Sequence, residues 1–462
     1  MFLSHTQSYI DEFGRSAGRP EFQNRHVSEE IIGNPLQAFQ LLKRLTINWK
    51  TVKQLMSSTN VWNNIDELEK EYQSLMPSDD DLNGAALSLI RLQDTYNLTI
   101  SDLASGTIHG VNSYVEMTAR DCLFLGKHAF NNGYYGLSLE WFHEALTRAH
   151  YEGNATAPVD EIIPFYTLAA EIHDDLLPTF WEKESGEEVV RTPDKMRLLD
   201  GDNDDYRNYQ ALCRGESIKK PVATADLKCY MTNRGHPWLI MQPVKVEELH
   251  IDPYIAIFHH LLTDNESETI KTLSAPMLQR SMVQSDYKNG SKVSDVRTSQ
   301  TAWFSNDESE IAARLSRRIE AATGLSTDMD NSHAELMQVA NYGMGGHYTP
   351  HYDYLFMDIP EEERNSSSLR DFAPGDRTAT VMFYLSDVTK GGGTVFPKIG
   401  VAITPEKNSA AFWYNLRRNG EGIIETTHGA CPVLMGEKWV SNHWIREVGQ
   451  TFRRLCSLNP NE

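Results

Sequence analysis

His351 and Asp353 stand two apart in the run Tyr348-Thr349-Pro350-His351-Tyr352-Asp353-Tyr354, and another histidine, His428, lies far downstream in Thr427-His428-Gly429-Ala430-Cys431-Pro432. Residues i and i+2 of an extended segment share a face, so this pair on a strand aims an imidazole and a carboxylate at one point. A second imidazole from a distant strand completes a two-histidine, one-carboxylate set, which takes three adjacent corners of Fe(II) and leaves three open. Those open positions suit a bidentate 2-oxo acid and dioxygen. Ten residues after His428, Lys438 begins Lys438-Trp439-Val440-Ser441-Asn442-His443-Trp444-Ile445, which reads as a buried strand. Lysines are seldom buried without a partner, and a ligand carboxylate is such a partner. A lone HxD pair is weak in a chain with 16 histidines and 64 acidic residues; its combination with His428 and Lys438 carries the signal.

These residues need a frame that brings separated strands together. After Glu335 the chain consists of short strand-like segments punctuated by Gly, Pro and Asp turns, the pattern of a sandwich or barrel, and a double-stranded jelly roll satisfies both the pattern and the separated ligands. Upstream, Pro253 to Phe258 reads as a strand, with helices over Asp264–Leu273 and Ile311–Thr323. Nearer the start, Asn34-Pro35 caps a helix whose Leu36, Phe39, Leu42, Leu45, Trp49, Val52 and Met56 recur at spacings of three and four. A second helix runs from about Leu82 to Tyr96. Residues 116–150 fit one tetratricopeptide register, with Cys122, Leu125, Gly126 and Ala129 on its first helix and Ser138, Phe142 and Ala145 on its second. Another helix is expected over Asp160–Leu177, without a second hairpin; the polar run from Pro178 through Asp205 reads as linker. The fold class is therefore multidomain α + β: a helical region over 1–105, a tetratricopeptide-like region over 106–180, a linker over 181–228 and a jelly roll with flanking helices over 229–462.

A net charge of −21 argues against nucleic-acid binding, which needs a basic stripe to neutralise phosphates. No run of about 18 apolar residues is present to cross a membrane. The opening Met1-Phe2-Leu3-Ser4-His5-Thr6-Gln7 lacks the basic and apolar regions of a secretory signal. Five cysteines leave two readings open, a pair of disulfides or reduced core thiols. Cys122 falls on an apolar helix face and is expected as a buried thiol.

From Glu335 to Gln450 the chain resembles the catalytic domain of collagen-type prolyl 4-hydroxylase α subunits. The matching words are Gln338-Val339-Ala340-Asn341-Tyr342-Gly343, Phe383-Tyr384-Leu385-Ser386-Asp387-Val388, Gly392-Gly393-Thr394-Val395-Phe396-Pro397 and Phe412-Trp413-Tyr414-Asn415-Leu416. Upstream words, among them Leu212-Cys213-Arg214-Gly215-Glu216 and Arg91-Leu92-Gln93-Asp94-Thr95-Tyr96, are similar to the same family.

The resemblance implies Fe(II) on His351, Asp353 and His428, and 2-oxoglutarate held at its distal carboxylate by Lys438 with Thr394 and Tyr342. It implies oxidative decarboxylation to succinate and CO₂ coupled to hydroxylation of peptidyl proline at C4, with L-ascorbate rescuing iron after uncoupled turnovers. Arg297 and Ser299 match a loop that closes on the peptide, and Glu335, Tyr348 and Arg377 match positions near the target proline. Disulfides Cys213–Cys229 and Cys431–Cys456 are implied, as are dimerisation through the N-terminal helices and peptide binding by the tetratricopeptide-like region. So are an α₂β₂ assembly with protein disulfide isomerase and a place in the endoplasmic reticulum lumen, which makes the chain's start appear truncated. Two departures stand out. Arg446 replaces a family histidine that orients the oxo acid and peptide, and is expected to take over that contact. Phe130 replaces a groove tyrosine, and no later repeat helix follows. The competing readings are a paralogue acting on a non-collagen proline-rich secreted peptide, lysyl or cytosolic prolyl hydroxylation, and a non-catalytic repeat-based adaptor or regulatory subunit.

Overall fold

The computed structural model describes residues 33–56, 76–113, 115–181, 204–218, 226–286, 290–292, 296–355, 374–457 and 459. They fall into two compact units, one of residues 1–202 with the short stretch 434–436, the other of residues 203–433 with 437–462.

The first unit is helical. The Asn34 carboxamide accepts the Leu36 and Gln37 amide hydrogens, and Pro35 occupies the first position of α1 (Pro35–Lys43). The helix widens through a π-helical turn at Arg44–Asn48 and continues over Trp49–Met56. A Ser78/Asp81 capping box starts α2 (Asp79–Tyr96), and Asn97 ends it in the left-handed region at φ 50°. Leu36 and Phe39 of α1 and Leu82, Ala86 and Leu89 of α2 are buried, and the two helices pack on each other. After the short α3 (Ile100–Ala104), α4 (Ala119–Asn131) and α5 (Tyr135–Tyr151) form a hairpin, and α6 (Val159–Trp181) packs against α5. The hairpin depends on Gly126: a Cβ there would lie 2.6 Å from the Phe142 ring. Cys122 is a buried free thiol, as its place on the apolar face of α4 predicts.

The second unit opens with α7 (Asp204–Cys213), a helix inside the stretch whose polarity reads as linker. Its edge strand β1 (Cys229–Thr232) is followed by α8 (Pro237–Met241), β2 (Val244–His250), β3 (Ile255–His259) and α9 (Asp264–Ser274). Then come β4 (Gln279–Arg280), β5 (Gln300–Phe304), α10 (Glu310–Thr323), β6 (Met337–Tyr342), β7 (Tyr348–His351) and β8 (Arg377–Tyr384). The remaining strands that build the two main sheets are β9 (Thr394–Phe396), β10 (Val401–Ile403), β11 (Ala410–Tyr414), β12 (His428–Ala430) and β13 (Lys438–Arg446). A nine-stranded antiparallel sheet runs β1-β2-β3-β11-β8-β13-β6-β5-β4, and a four-stranded sheet runs β7-β12-β9-β10.

Strand alternation sorts the side chains. On β8, Ala379, Val381 and Phe383 enter a core shared with Leu315 and Ile319 of α10, while Met382 and Tyr384 enter a second core with Phe396, Val401 and Ile403 of the smaller sheet. The large sheet therefore carries helices on one face and the smaller sheet on the other, the layering of a jelly roll.

One expectation is overturned. The bond present joins Cys213 to Cys431, across 218 residues, while Cys229 and Cys456 are exposed free thiols. The cause is the seating of α7 on the four-stranded sheet. Tyr209 donates its hydroxyl hydrogen to the Ala430 carbonyl at 2.9 Å, and Tyr209, Leu212, Val395 and Cys431 share a small core. Cys213, at the end of α7, thereby lies beside Cys431, whereas Cys229 begins the outermost strand of the other sheet.

Candidate active site

Register brings the three predicted ligands together. His351 on β7 pairs directly across the ladder with His428 on β12, and Asp353 follows two residues after His351. One donor atom from each lies within 4.8 Å of the others. Each histidine Nε2 is 3.8 Å from a different oxygen of the Asp353 carboxylate. The other ring nitrogens are committed: His351 Nδ1 donates to the Thr349 carbonyl at 2.9 Å, and His428 Nδ1 to the Thr426 carbonyl at 3.0 Å. A carbonyl can only accept, so Nδ1 carries the hydrogen and Nε2 presents its lone pair to the shared point, the arrangement that orients metal-bound imidazoles. Burial, then the neighbouring His428, holds the His351 imidazole well below its usual pKa, which keeps it neutral and able to ligate. Burial pushes Asp353 upward, but His428, His351 and Arg377 outweigh it and keep the carboxylate ionised.

Aromatic rings fix the imidazoles. Tyr348 stacks on His351 with centroids 3.6 Å apart, and Trp413 meets His428 edge-on at 4.8 Å. A relay orients the acid: Trp413 Nε1 donates to Asn415 Oδ1 (2.8 Å), Asn415 Nδ2 to Thr380 Oγ1 (2.9 Å), and Thr380 Oγ1 to Asp353 Oδ2 (2.7 Å). Sequence reasoning assigned no role to Thr380 or Asn415. Thr380 on β8 and Asn415 just past the end of β11 are brought together only by the pairing of those strands.

Lys438 opens β13 opposite Tyr342 and is 1% exposed. Nζ donates to Thr394 Oγ1 at 3.2 Å and approaches the Gly393 carbonyl at 3.5 Å; no acidic group among the described residues pairs with it. Burial alone pushes it down to about 7. Thr394 Oγ1 also accepts from the Tyr384 hydroxyl at 3.0 Å, so its own hydrogen remains to be donated. Tyr342 lines the same cavity as Lys438, Thr394 and the three ligands, and its hydroxyl bonds to no described residue. Three donors thus line one buried space in which Lys438 has no described acidic partner. That chemistry fits a carboxylate, and the donor set of the triad fits Fe(II).

The predicted substrate residues adjoin the triad: Arg297 and Tyr348 line the same cavity, and Arg377 Nη1 donates to the Asp353 carbonyl at 3.3 Å. Arg297 donates from Nε to Ser299 Oγ (3.1 Å) and from Nη2 to Gln338 Oε1 (2.9 Å), with its guanidinium 5.1 Å from the Tyr348 ring centroid. Glu335 accepts a fork from Arg377, 2.7 Å at each oxygen, and a further hydrogen bond from Arg446 Nη1 at 3.0 Å. The Arg377 guanidinium lies 4.0 Å over the Trp444 ring. Arg446 is not brought to the oxo-acid cradle. It ends the nine-residue strand that Lys438 begins, and eight steps of about 3.3 Å separate their Cα atoms by roughly 26 Å. The contact expected from its alignment with a family histidine is replaced by its pairing with Glu335.

A jelly roll bearing this triad and cradle defines a 2-oxoglutarate- and Fe(II)-dependent oxygenase, and residues 337–446 match the family profile described as the 2OG-Fe(II) oxygenase superfamily. Residues 3–110 match a second profile, described as the prolyl 4-hydroxylase alpha-subunit N-terminal region. Prolyl 4-hydroxylase subunit alpha-2 of Caenorhabditis elegans is 36% identical over 99% of this chain and 89% of its own length. Subunit alpha-1 of Mus musculus is 35% identical over 94% of this chain and 86% of its own. The chain belongs to the prolyl 4-hydroxylase α subunits. Among solved structures, a viral collagen prolyl hydroxylase from Paramecium Bursaria Chlorella virus-1, in a 2OG complex, matches 42% of this chain and 96% of that one, with 24% identity and a TM-score of 0.33.

Proposed function

We propose that this chain hydroxylates peptidyl proline at C4 in proline-rich, collagen-like polypeptides, with 2-oxoglutarate and dioxygen as co-substrates. The observation that supports the reading best is the donor cradle of Lys438, Thr394 and Tyr342 beside the triad. His351, Asp353 and His428 would hold the iron, and the cradle would take the distal carboxylate of 2-oxoglutarate. When bound, iron and the oxo acid supply the oxidising chemistry: decarboxylation to succinate and CO₂ with transfer of one oxygen atom to the C4–H bond, ascorbate restoring Fe(II) after uncoupled turnovers.

The chain's own share is positioning. Thr380 holds the Asp353 carboxylate in place by donating to Oδ2. Tyr348, Trp413 and Phe396 surround the imidazoles with rings and exclude water. Glu335, Arg377 and Trp444, with Arg297 and Ser299, form a polar and aromatic wall suited to a polyproline II chain, whose carbonyls are unpaired and whose rings favour aromatic faces. The regional roles expected above belong to this reading: dimerisation by 1–105, peptide binding by the tetratricopeptide-like helices of 106–180, and oxygenase chemistry by 229–462, to which α7 adds its support.

The relatives are named as α subunits, parts of an assembly; protein disulfide isomerase in an α₂β₂ tetramer is the partner this reading assigns. The Cys213–Cys431 bond suits the oxidising endoplasmic reticulum lumen. The deciding experiment measures succinate released from 2-oxoglutarate, and 4-hydroxyproline formed, on addition of a (Pro-Pro-Gly)-repeat peptide. Succinate release that no proline-rich peptide stimulates would overturn the assignment. A second reading, a shorter non-collagen proline-rich substrate, is favoured by Phe130, whose ring packs edge-on to Tyr135 at 5.5 Å and offers no hydroxyl. A length series of the same peptide separates the two, because a chain that gains nothing from added triplets has no second site to raise its effective concentration.

A further inference from the structure

At the open end of the β2–β3 hairpin, between the hairpin, α8 and α10, lies a cavity of about 390 Å³ that shares no lining residue with the catalytic one. Six basic side chains line it, Lys245, His259, His260, Arg314, Arg317 and Arg318, and no acidic one. This is unexpected in a chain with 64 acidic residues against 43 lysines and arginines. The acids just behind the wall are already engaged. Glu266 takes the Arg318 fork at 2.8 Å on each oxygen and lies 3.9 Å from Arg314. Glu247 and Glu406 face the two ring nitrogens of His259 at 2.8 and 2.7 Å. Arg314 also approaches Glu310 at 3.7 Å. Lys245 and Arg317 are exposed and make no ion pair or hydrogen bond with a described residue.

Apart from Gln242 and Thr263, the rest of the lining is apolar. Leu239, Val244 and Leu262 belong to the buried core beneath, and Trp238 stands at the rim, 65% exposed. A concave site of this volume, with an apolar floor and a few convergent charges of one sign, has the make-up of a small-ligand pocket. We propose that it binds an anionic group joined to an apolar body: a carboxylate or phosphate held by Lys245 and Arg317, with an aromatic or aliphatic part against Trp238 and the core floor. Arginine and lysine recognise such oxyanions through charge-assisted hydrogen bonds, and an indole face accepts the adjoining ring. Arg318, fixed by Glu266 and by the Leu261 carbonyl at 2.9 Å, forms a settled wall and leaves Lys245 and Arg317 as the free cations of the site among the described residues.

The test is calorimetric titration of the full chain in its native assembly, kept anaerobic with iron and 2-oxoglutarate saturating so that the catalytic site is occupied. The probes are inorganic phosphate, phenyl phosphate and a blocked Glu-Trp-Glu tripeptide. Phenyl phosphate is expected to bind at least tenfold more tightly than inorganic phosphate. Combined Lys245→Glu and Arg317→Glu substitution should weaken it at least tenfold, the milder Lys245→Gln and Arg317→Gln should act in the same direction, and Trp238→Ala should abolish the preference over inorganic phosphate. Succinate production should stay unchanged in each variant, which shows that the fold is intact. A tripeptide tighter than phenyl phosphate would identify the source as an acidic segment of a protein; a weaker one would identify a small molecule. Phenyl phosphate binding no more tightly than phosphate, or binding indifferent to the charge changes, would overturn the proposal.

Discussion

Two buried cations at opposite ends of one strand live in opposite circumstances. At the start of β13, Lys438 has hydroxyl and carbonyl neighbours but no described acid, and burial depresses its pKa to about 7. At the other end, Arg446 shares Glu335 with Arg377, and all three groups meet at hydrogen-bond distance. Both ends carry the desolvation cost of buried charge, yet only one is compensated from within the chain. The difference teaches how to tell a binding site from a wall. An uncompensated cation with spare donors around it awaits an anion, whereas a compensated pair holds strands in place and presents a finished surface.

The comparison can be broken or sharpened by substitution. The largest effect should come from the ligands between the two ends: His351→Ala, Asp353→Ala or His428→Ala should reduce succinate production to background. Loss of even a supporting contact around a metal costs about 10–100-fold, and loss of a ligand should exceed that. Iron binding measured alongside should fall in step while the circular dichroism spectrum is kept.

Glu335→Gln probes the compensated end. It leaves Arg446 buried and Arg377 half-buried without their acid, which should lower stability by about 1–3 kcal/mol in chemical denaturation. A midpoint equal to that of the unchanged protein would mean that Glu335 compensates nothing. Lys438→Ala probes the other end and should raise the Michaelis constant for 2-oxoglutarate at least about 30-fold, from a charge-assisted pair of about 2–5 kcal/mol, without weakening iron binding.

The same lysine predicts a pH dependence. Its pKa of about 7 applies to the protein without oxo acid, and the protonated form is the one that binds a carboxylate. Affinity for 2-oxoglutarate should therefore be full below pH 7 and fall toward tenfold per unit above it. A Michaelis constant flat from pH 6 to 9 would show that the cation is compensated after all. The smallest effect is expected from Arg446→Gln, which should leave the Michaelis constant for 2-oxoglutarate within about twofold, because the arginine lies roughly 26 Å along the strand from the cradle. A rise matching that of Lys438→Ala would erase the distinction between the ends.

How much of this was legible beforehand follows from the range of each signal. His351 and Asp353 announce themselves locally, because period-two alternation is a property of three neighbouring residues. Lys438 is legible because a charge inside an apolar strand conflicts with its surroundings. The helices over 35–56, 79–96 and 310–323 and the hairpin within 119–151 follow from apolar periodicity, the first also from its cap at Asn34. Thr380 and Asn415 are opaque because their relay runs between β8 and the end of β11, and no spacing along the chain encodes that pairing. Arg446 was misplaced because alignment supplies a partner by analogy, whereas strand length fixes reach. The helix α7 hid in a polar stretch because few of its residues are apolar, and Tyr209 and Leu212 carry its buried face. Its seating in turn decides which cysteine Cys213 meets.

That bond also changes the topology of the oxygenase. Joined at Cys213 and Cys431, 218 positions apart, the chain between them closes a covalent ring, and the ring contains His351, Asp353 and His428. Hydrolysis of any single peptide bond between the two cysteines would open the ring without releasing a fragment. Where the cut falls between Asp353 and His428, the halves bearing His351 with Asp353 and bearing His428 would travel as one species on a non-reducing gel and separate only after reduction. A protease that nicks this span therefore leaves the metal donors tethered, and survival of activity after such a cut becomes a matter of thiol chemistry rather than of chain continuity.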